Sequence, residues 1–391
     1  MTEQTSQAII TDEAVIIKEM TTHNGKRIGH ITLNAPATLN ALTLEMIELM
    51  LLQITQWQHD EDLVFIIIAG SGEKAFCAGG DIQALYQSAR SQTNVDKHPS
   101  TNNFNDKDDL AARFFEREYR LDYLLHTIEK PIIAWGHGII MGGGLGIFAG
   151  CKHRVVTEKT RLAMPEVSIG LYPDVGGSYF LNKMPGASGL FLALTSASLN
   201  AIDSCFVGLA DYTIDHSQLT ETIERLIAID WQRNTEANNR LIQLTLESAA
   251  KKCLNTMPAG HIASQLNTIN TLCQHRKLSD IVVAINQLST DDTWLNKAKA
   301  NLAYASPLSL AITAKQLNLS QHKSLKAVFN DELILSSNLV HHSEFSEGVR
   351  ALLIDKDKKP QWQFKQVEDI PTECIDRFFI SPWQKNPLSN L

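Results

Sequence analysis

The chain changes character near residue 205, and that change constrains its fold more than any other feature. Before it, short apolar runs of strand type alternate with stretches of helical spacing; after it, helical spacing dominates. Residues 14–19 and 26–33 alternate apolar and polar side chains around Asn24-Gly25, the pattern of a tight hairpin. Residues 43–57 put Leu44, Ile47, Leu51 and Ile54 on one helical face. The run LVFIIIA over 63–69 predicts a strand buried on both faces. A loop carrying Phe76-Cys77-Ala78-Gly79-Gly80-Asp81 then opens another helix, and residues 91–108, polar and rich in breakers, read as a mobile surface loop. A helix over 109–128 leads to a strand over 132–136, the triplet Gly142-Gly143-Gly144, a short helix to about 150, and short strands near 153–157 and 161–163. After one more short strand near 211–214, helices are predicted over 217–228, 236–253, 281–288 and 309–318.

These patterns predict an α/β fold in two regions, a strand-and-helix core over 1–205 and a mainly helical region over 206–391. A net charge of −8 disfavours a polyanion-binding surface, so no nucleic-acid partner is expected. Cys77, Cys151, Cys205, Cys253, Cys273 and Cys374 lie far apart with no C-x-x-C pair, which suits reduced thiols better than disulfides or zinc. No His/Cys group has ligand spacing, and His341-His342 reads as a surface pair, so no metal is expected. The first residues carry acids and no basic leader; with the reduced thiols, that predicts a cytoplasmic protein. Residues 131–150 are the most membrane-like, but Pro131, His137 and the glycines argue against a span.

Three acids and two glycine loops are the candidate chemistry. Glu118 falls on the stripe formed by Ala111, Phe115, Leu121, Leu125 and Ile128, where an acid is either paired with Arg113 or Arg117 at the stripe's edge or kept for function. Gly142-Gly143-Gly144 reads as a flexible turn, as close helix packing, or as backbone N–H groups offered to a ligand. A dinucleotide loop is disfavoured, because His137 to Met141 separate the glycines from their strand and that strand is not the first. Glu166, after Pro165, is either a loop carboxylate that accepts backbone N–H bonds or an active acid, and Asp174 is either a helix cap or its companion. Clustered, these parts suit chemistry that builds negative charge on a carbonyl oxygen.

The pairing of Ala75-Phe76-Cys77-Ala78-Gly79-Gly80-Asp81-Ile82 with His137-Gly138-Ile139-Ile140-Met141-Gly142-Gly143-Gly144 resembles the crotonase (enoyl-CoA hydratase/isomerase) superfamily. Within it, MPEVSIGLYPDVGGSYFL and the segment SEFSEGVRALLIDKDKKPQW are similar to the 3-hydroxyisobutyryl-CoA hydrolase subgroup. The resemblance covers roughly residues 14 to 365. It implies a spiral of strand–strand–helix repeats, followed by a helical C-terminal region that completes the site; that helical half is equally suited to mediating a homo-oligomer. It implies an acyl-CoA thioester as substrate, bound under an oxyanion hole of two backbone N–H groups, which map onto Gly80 and Gly143. Coenzyme A is then part of the substrate and no separate cofactor is needed. Glu118, Glu166 and Asp174 match the subgroup's substrate-site acids. On this resemblance Glu166 is expected to be the acting carboxylate, as nucleophile or as base on water, with Asp174 positioning the 3-hydroxyl or the water and Glu118 orienting the acyl end. Hydratases carry a glutamate just after the triple glycine, where this chain has Gly146, so hydrolysis of a short branched 3-hydroxyacyl-CoA in valine breakdown is the implied reaction. The alternatives are an enoyl-CoA hydratase or isomerase and a non-catalytic RNA-binding or scaffolding homologue.

Overall fold

Ten strands occur in the computed structural model, which describes residues 7–11, 14–92, 109–253 and 255–391. They are β1 (Gln7–Thr11), β2 (Val15–Thr21), β3 (Arg27–Leu33), β4 (Leu63–Gly70), β5 (Ala75–Cys77), β6 (Ile132–Gly136), β7 (Ile139–Met141), β8 (His153–Val156), β9 (Arg161–Ala163) and β10 (Tyr212–Thr213). The expected mobile loop falls mostly on 93–108, outside the described residues.

The chain divides into two compact units, each assembled from three stretches. The first comprises Met1–Gly80, Leu121–Leu162 and Leu199–Ala263. Its seven-stranded sheet runs β1-β2-β3-β4-β6-β8-β10. β1, β2 and β3 pair antiparallel, with Gly25 at φ 79 in the turn between β2 and β3. From β3 onward the pairing is parallel, with Ile66 opposite Ile132 and Ile133 opposite His153. Parallel strands are covered on both faces, which is why β4 is continuously apolar and buried up to its last residue.

A strand–strand–helix turn recurs: β4, β5 and the helix Ile82–Gln92; β6, β7 and the helix Gly143–Gly150; β8, β9 and the 3-10 turn Glu166–Ile169. The first strand of each repeat joins the large sheet and the second joins a three-stranded sheet, β5-β7-β9. β5 and β7 are too short to show a sequence period, so neither is expected as a strand from the sequence.

The helix Leu44–Trp57 begins where expected, with the Thr43 side chain accepting from Met46 N at 3.2 Å. Its buried face is rotated from the predicted one, to Met46, Ile47, Met50, Gln53, Ile54 and Trp57. The helices Leu219–Ile227 and Thr235–Ala250 set Leu226, Ile242 and Leu246 in one apolar cluster with Phe65, Ile67 and Trp135 of the large sheet. Residues just past 205 therefore pack with the sheet, because their apolar stripes are the ones that cover it, and neither unit follows a single cut at 205.

The second unit comprises Asp81–Arg120, Ala163–Ser198 and Ser264–Leu391 and is mainly helical. Among its helices are Leu278–Asn286, Pro307–Ser320, Leu325–Val340 and Ser343–Val349. His341 and His342 are not a free surface pair: half-buried His341 bonds Asp109 at 3.0 Å, and His342 caps the helix Ser343–Val349. No helix among the described residues is long and apolar enough to cross a membrane; 131–150 holds β6, β7 and the short helix Gly143–Gly150.

Candidate active site

The glycine loops belong to the first unit. β5 and β7 run parallel, with Ala75 opposite Ile139 and Cys77 opposite Ile140, so both chains leave the small sheet at the same end. There β5 delivers Ala78-Gly79-Gly80 and β7 delivers Gly142-Gly143-Gly144. Gly79 has φ 111, and a Cβ on it would stand 3.2 Å from Met141 O and 3.6 Å from Gly143 N. A Cβ on Gly144 would stand 2.4 Å from Cys77 O. The two loops are thus packed backbone against backbone, and Gly144 answers the close-packing reading of the triplet. Gly143 differs: it is the first residue of its helix, and a helix leaves its first N–H groups without internal partners. Among the described residues, neither the Gly80 N–H nor the Gly143 N–H is bonded to a backbone carbonyl. The predicted pair of amides therefore sits in one region, both available as donors.

The acids belong to the second unit. Glu118 is 3% exposed, Glu166 5% and Asp174 6%. Glu118 lies on the buried stripe of its helix as predicted, but not as an edge residue paired to Arg117, which contacts Glu116 at 3.3 Å instead. Glu166 opens the 3-10 turn that ends at Gly170, at φ 74. A Cβ on Gly170 would lie 2.3 Å from Glu344 O, and one on Gly348 2.5 Å from the Ile169 carbonyl carbon. The turn bearing Glu166 is thus pressed onto the helix Ser343–Val349 through two glycines, which ties the distant C-terminal motif to the acid. Asp174 does not cap a helix with its side chain; its Oδ2 accepts from Tyr119 Oη at 2.5 Å, and its backbone oxygen accepts from Gly177 N at 2.6 Å.

Burial dominates the electrostatics. It pushes Glu166 and Glu118 well above the usual carboxylate range, and the charge of Asp174 pushes both further. Asp174 is raised by burial to about 6, held back by the hydrogen bond from Tyr119. Of the three, Asp174 therefore ionises first, and Glu118 Oε1 and Glu166 Oε2 are buried without a hydrogen-bond partner. Such groups are rare unless they serve chemistry. An acid whose folded pKa exceeds its unfolded value supports the fold while protonated and loses that support as pH rises through the folded pKa. Glu118→Gln should therefore raise the melting temperature, and by more at about pH 8 than at about pH 5. Equal shifts at both pH values would show that Glu118 is not held protonated.

Sequence reasoning missed four partners. Tyr119 and Tyr172 are both fully buried, and their hydroxyls meet Ser336 Oγ at 2.6 and 3.1 Å. Tyr172 Oη donates to Glu332 O at 2.9 Å. Glu332, with no exposed surface, accepts from Gly176 N at 2.7 Å and Ser178 N at 3.0 Å, and burial raises its pKa to about 8. Its signal was available: Glu332 falls on the apolar stripe of Val328, Phe329, Leu333 and Leu339, the same anomaly that singled out Glu118. The structure thus brings the predicted residues together as two groups, Gly80 with Gly143 and Glu118 with Glu166 and Asp174, each inside one unit.

A family model described as enoyl-CoA hydratase/isomerase matches residues 28–379. The chain is 35% identical over 351 residues to "3-hydroxyisobutyryl-CoA hydrolase, mitochondrial" of Gallus gallus, covering 90% of this chain and 86% of the relative. It is also 35% identical over 358 residues to the protein of that name from Homo sapiens, again covering 90% and 86%. A carnitinyl-CoA dehydratase from Mycobacterium thermoresistibile has a similar structure, with a TM-score of 0.81 at 28% identity over 97% of this chain and 100% of that one. The names of the two hydrolases correct one expectation: they are mitochondrial, against the cytoplasmic placement read from the cysteines and the first residues. Free thiols mark any reducing compartment, so the six free cysteines never distinguished the cytosol from another.

Proposed function

The chain belongs to the enoyl-CoA hydratase/isomerase family, among its 3-hydroxyisobutyryl-CoA hydrolases, and from this we propose that it hydrolyses 3-hydroxyisobutyryl-CoA to 3-hydroxyisobutyrate and coenzyme A. The observation that carries this reading is the identity to hydrolases over nine-tenths of the chain; the buried acids Glu118, Glu166 and Asp174 support it. The reaction asks for no metal or further cofactor, since coenzyme A arrives as part of the substrate. Valine breakdown is the route in which we place it.

In this mechanism the Gly80 and Gly143 amides hold the thioester oxygen as it becomes an oxyanion. A Glu166 carboxylate oxygen attacks the carbonyl carbon, the C–S bond breaks, and coenzyme A leaves as a thiolate. A thiol pKa of about 8.5, by analogy with cysteine, makes it a good leaving group with little acid help. Water then cleaves the mixed anhydride, regenerating the Glu166 carboxylate and releasing the hydroxy acid; a water proton goes to the thiolate. Asp174 orients the 3-hydroxyl or the incoming water, and Glu118, held neutral, donates a hydrogen bond to the acyl end. The Glu that a hydratase places after its triple glycine is Gly146 here, which can neither take nor give a proton.

The test is a thiol-release assay with 3-hydroxyisobutyryl-CoA beside an enoyl-absorbance assay with crotonyl-CoA. Thiol from the first without loss of the enoyl band in the second is the expected outcome. Loss of the enoyl band with no thiol release replaces the hydrolase with a hydratase, and silence in both arms removes the enzyme reading.

A further inference from the structure

Resting on the hydrolase reading above, we propose that Glu332 is a positioning residue for Asp174: its carboxylate clamps a left-handed turn whose geometry aims the aspartate. Val175, the next residue, has φ 52, and Gly176 has φ 83. Glycine adopts that region without penalty, but a β-branched residue there is a true outlier that persists only when its surroundings enforce it. Glu332 uses one oxygen on Gly176 N (2.7 Å) and the other on Ser178 N (3.0 Å), so it grips the chain immediately after Val175 on both sides of Gly177. The Gly177 N–H closes the turn on Asp174 O at 2.6 Å.

The same helix, Leu325–Val340, also reaches the aspartate's side chain, through Tyr119. One turn beyond Glu332, Ser336 Oγ lies 2.6 Å from Tyr119 Oη, and Tyr119 donates to Asp174 Oδ2 at 2.5 Å. Tyr172, two residues before Asp174, bonds Glu332 O at 2.9 Å and Ser336 Oγ at 3.1 Å. Asp174 is thus fixed from before and from after, and at its carboxylate through Tyr119, by residues four apart on one helix. A cap for the short helix Gly177–Phe180 would need no buried acid and no strained valine before it. The combination holds one carboxylate in one direction.

The test uses the full chain at a pH above the Glu332 pKa of about 8, where its carboxylate is ionised, with hydrogen exchange of the 171–180 segment and steady-state thioester hydrolysis. Glu332→Gln keeps one carbonyl acceptor but turns an amide NH2 toward the second backbone N–H. Exchange in 171–180 should rise about tenfold or more, and kcat should fall about tenfold or more with KM moving less than about twofold. Adding Val175→Gly removes the strain that the clamp opposes, so the double variant should recover at least about threefold of the lost kcat. Unchanged exchange in Glu332→Gln, or strictly additive losses in the double variant, overturns the clamp. Should Glu332→Gln fail to fold, Val175→Gly/Glu332→Gln is measured in its place; it should fold, and its failure to do so also overturns the clamp. Absence of thiol release from the unaltered protein would sink the hydrolase reading instead, while the exchange measurement still decides the clamp.

Discussion

Replacing Glu166 with glutamine is expected to cut thioester turnover by about 10²–10⁴-fold, the range for losing a positioned acid or base, while coenzyme A binding survives. The substitution keeps the shape of a side chain that is only 5% exposed and removes its ability to attack or to take a proton. It should not harm the fold. One carboxylate oxygen is already buried without a partner, and burial already favours the neutral form, which a glutamine imitates. The melting temperature should hold or rise. The pH profile of the unaltered protein gives a second reading of the same residue. The reactive species is the carboxylate, so the rate climbs with pH through the Glu166 pKa. That pKa is raised above its usual 4.5, first by burial and then by the charge of Asp174. The acid limb of kcat/KM should therefore stand well above the ordinary carboxylate range. Asp174→Asn, although slower, should move that limb to lower pH by removing the second push. Full turnover in Glu166→Gln removes this residue from the mechanism, and a limb at the ordinary value means that it reacts from a solvated position.

The same two quantities, burial and charge, explain what could be read from residues alone. Strands with a period or a long apolar run, such as β2, β3 and β4, were legible, and so were the helices Leu110–Thr127 and Pro307–Ser320. β5 and β7 were not: three residues carry no period, and they are strands because each pairs with the other. The rotated face of Leu44–Trp57 has a related cause. Leu44 and Leu51 looked like core by hydrophobicity, but tertiary contact chose the methionines and Trp57. At the acids, residue type and local company pointed to Glu118, Glu166 and Asp174. The support of Asp174 was hidden because it comes from the helix Leu325–Val340, about 160 residues away in the chain from the turn it holds. The interleaving of the two units has the same origin. The described residues between 81 and 120 belong with the C-terminal helices through contacts that no local pattern records.

Gly143→Pro should lower kcat by about 10²–10³-fold, the cost of one oxyanion donor or roughly 3–4 kcal/mol of barrier, with little loss of stability. Gly143 is the first position of the helix Gly143–Gly150, where proline's fixed φ suits the helix and its missing N–H is one that the helix does not use. The substitution therefore deletes a donor while the helix can still form. Gly144→Ala is the necessary contrast. Its Cβ would stand 2.4 Å from Cys77 O, inside backbone that cannot yield as a flexible side chain would, so it should lower the melting temperature before it says anything about chemistry. The two variants separate a lost hydrogen bond from lost packing: the proline should cost rate at nearly constant stability, the alanine stability first. A Gly143→Pro protein with an unchanged rate would refute the oxyanion assignment. One that melts as early as Gly144→Ala would mean that position 143, like its neighbour, serves the contact between the two glycine loops.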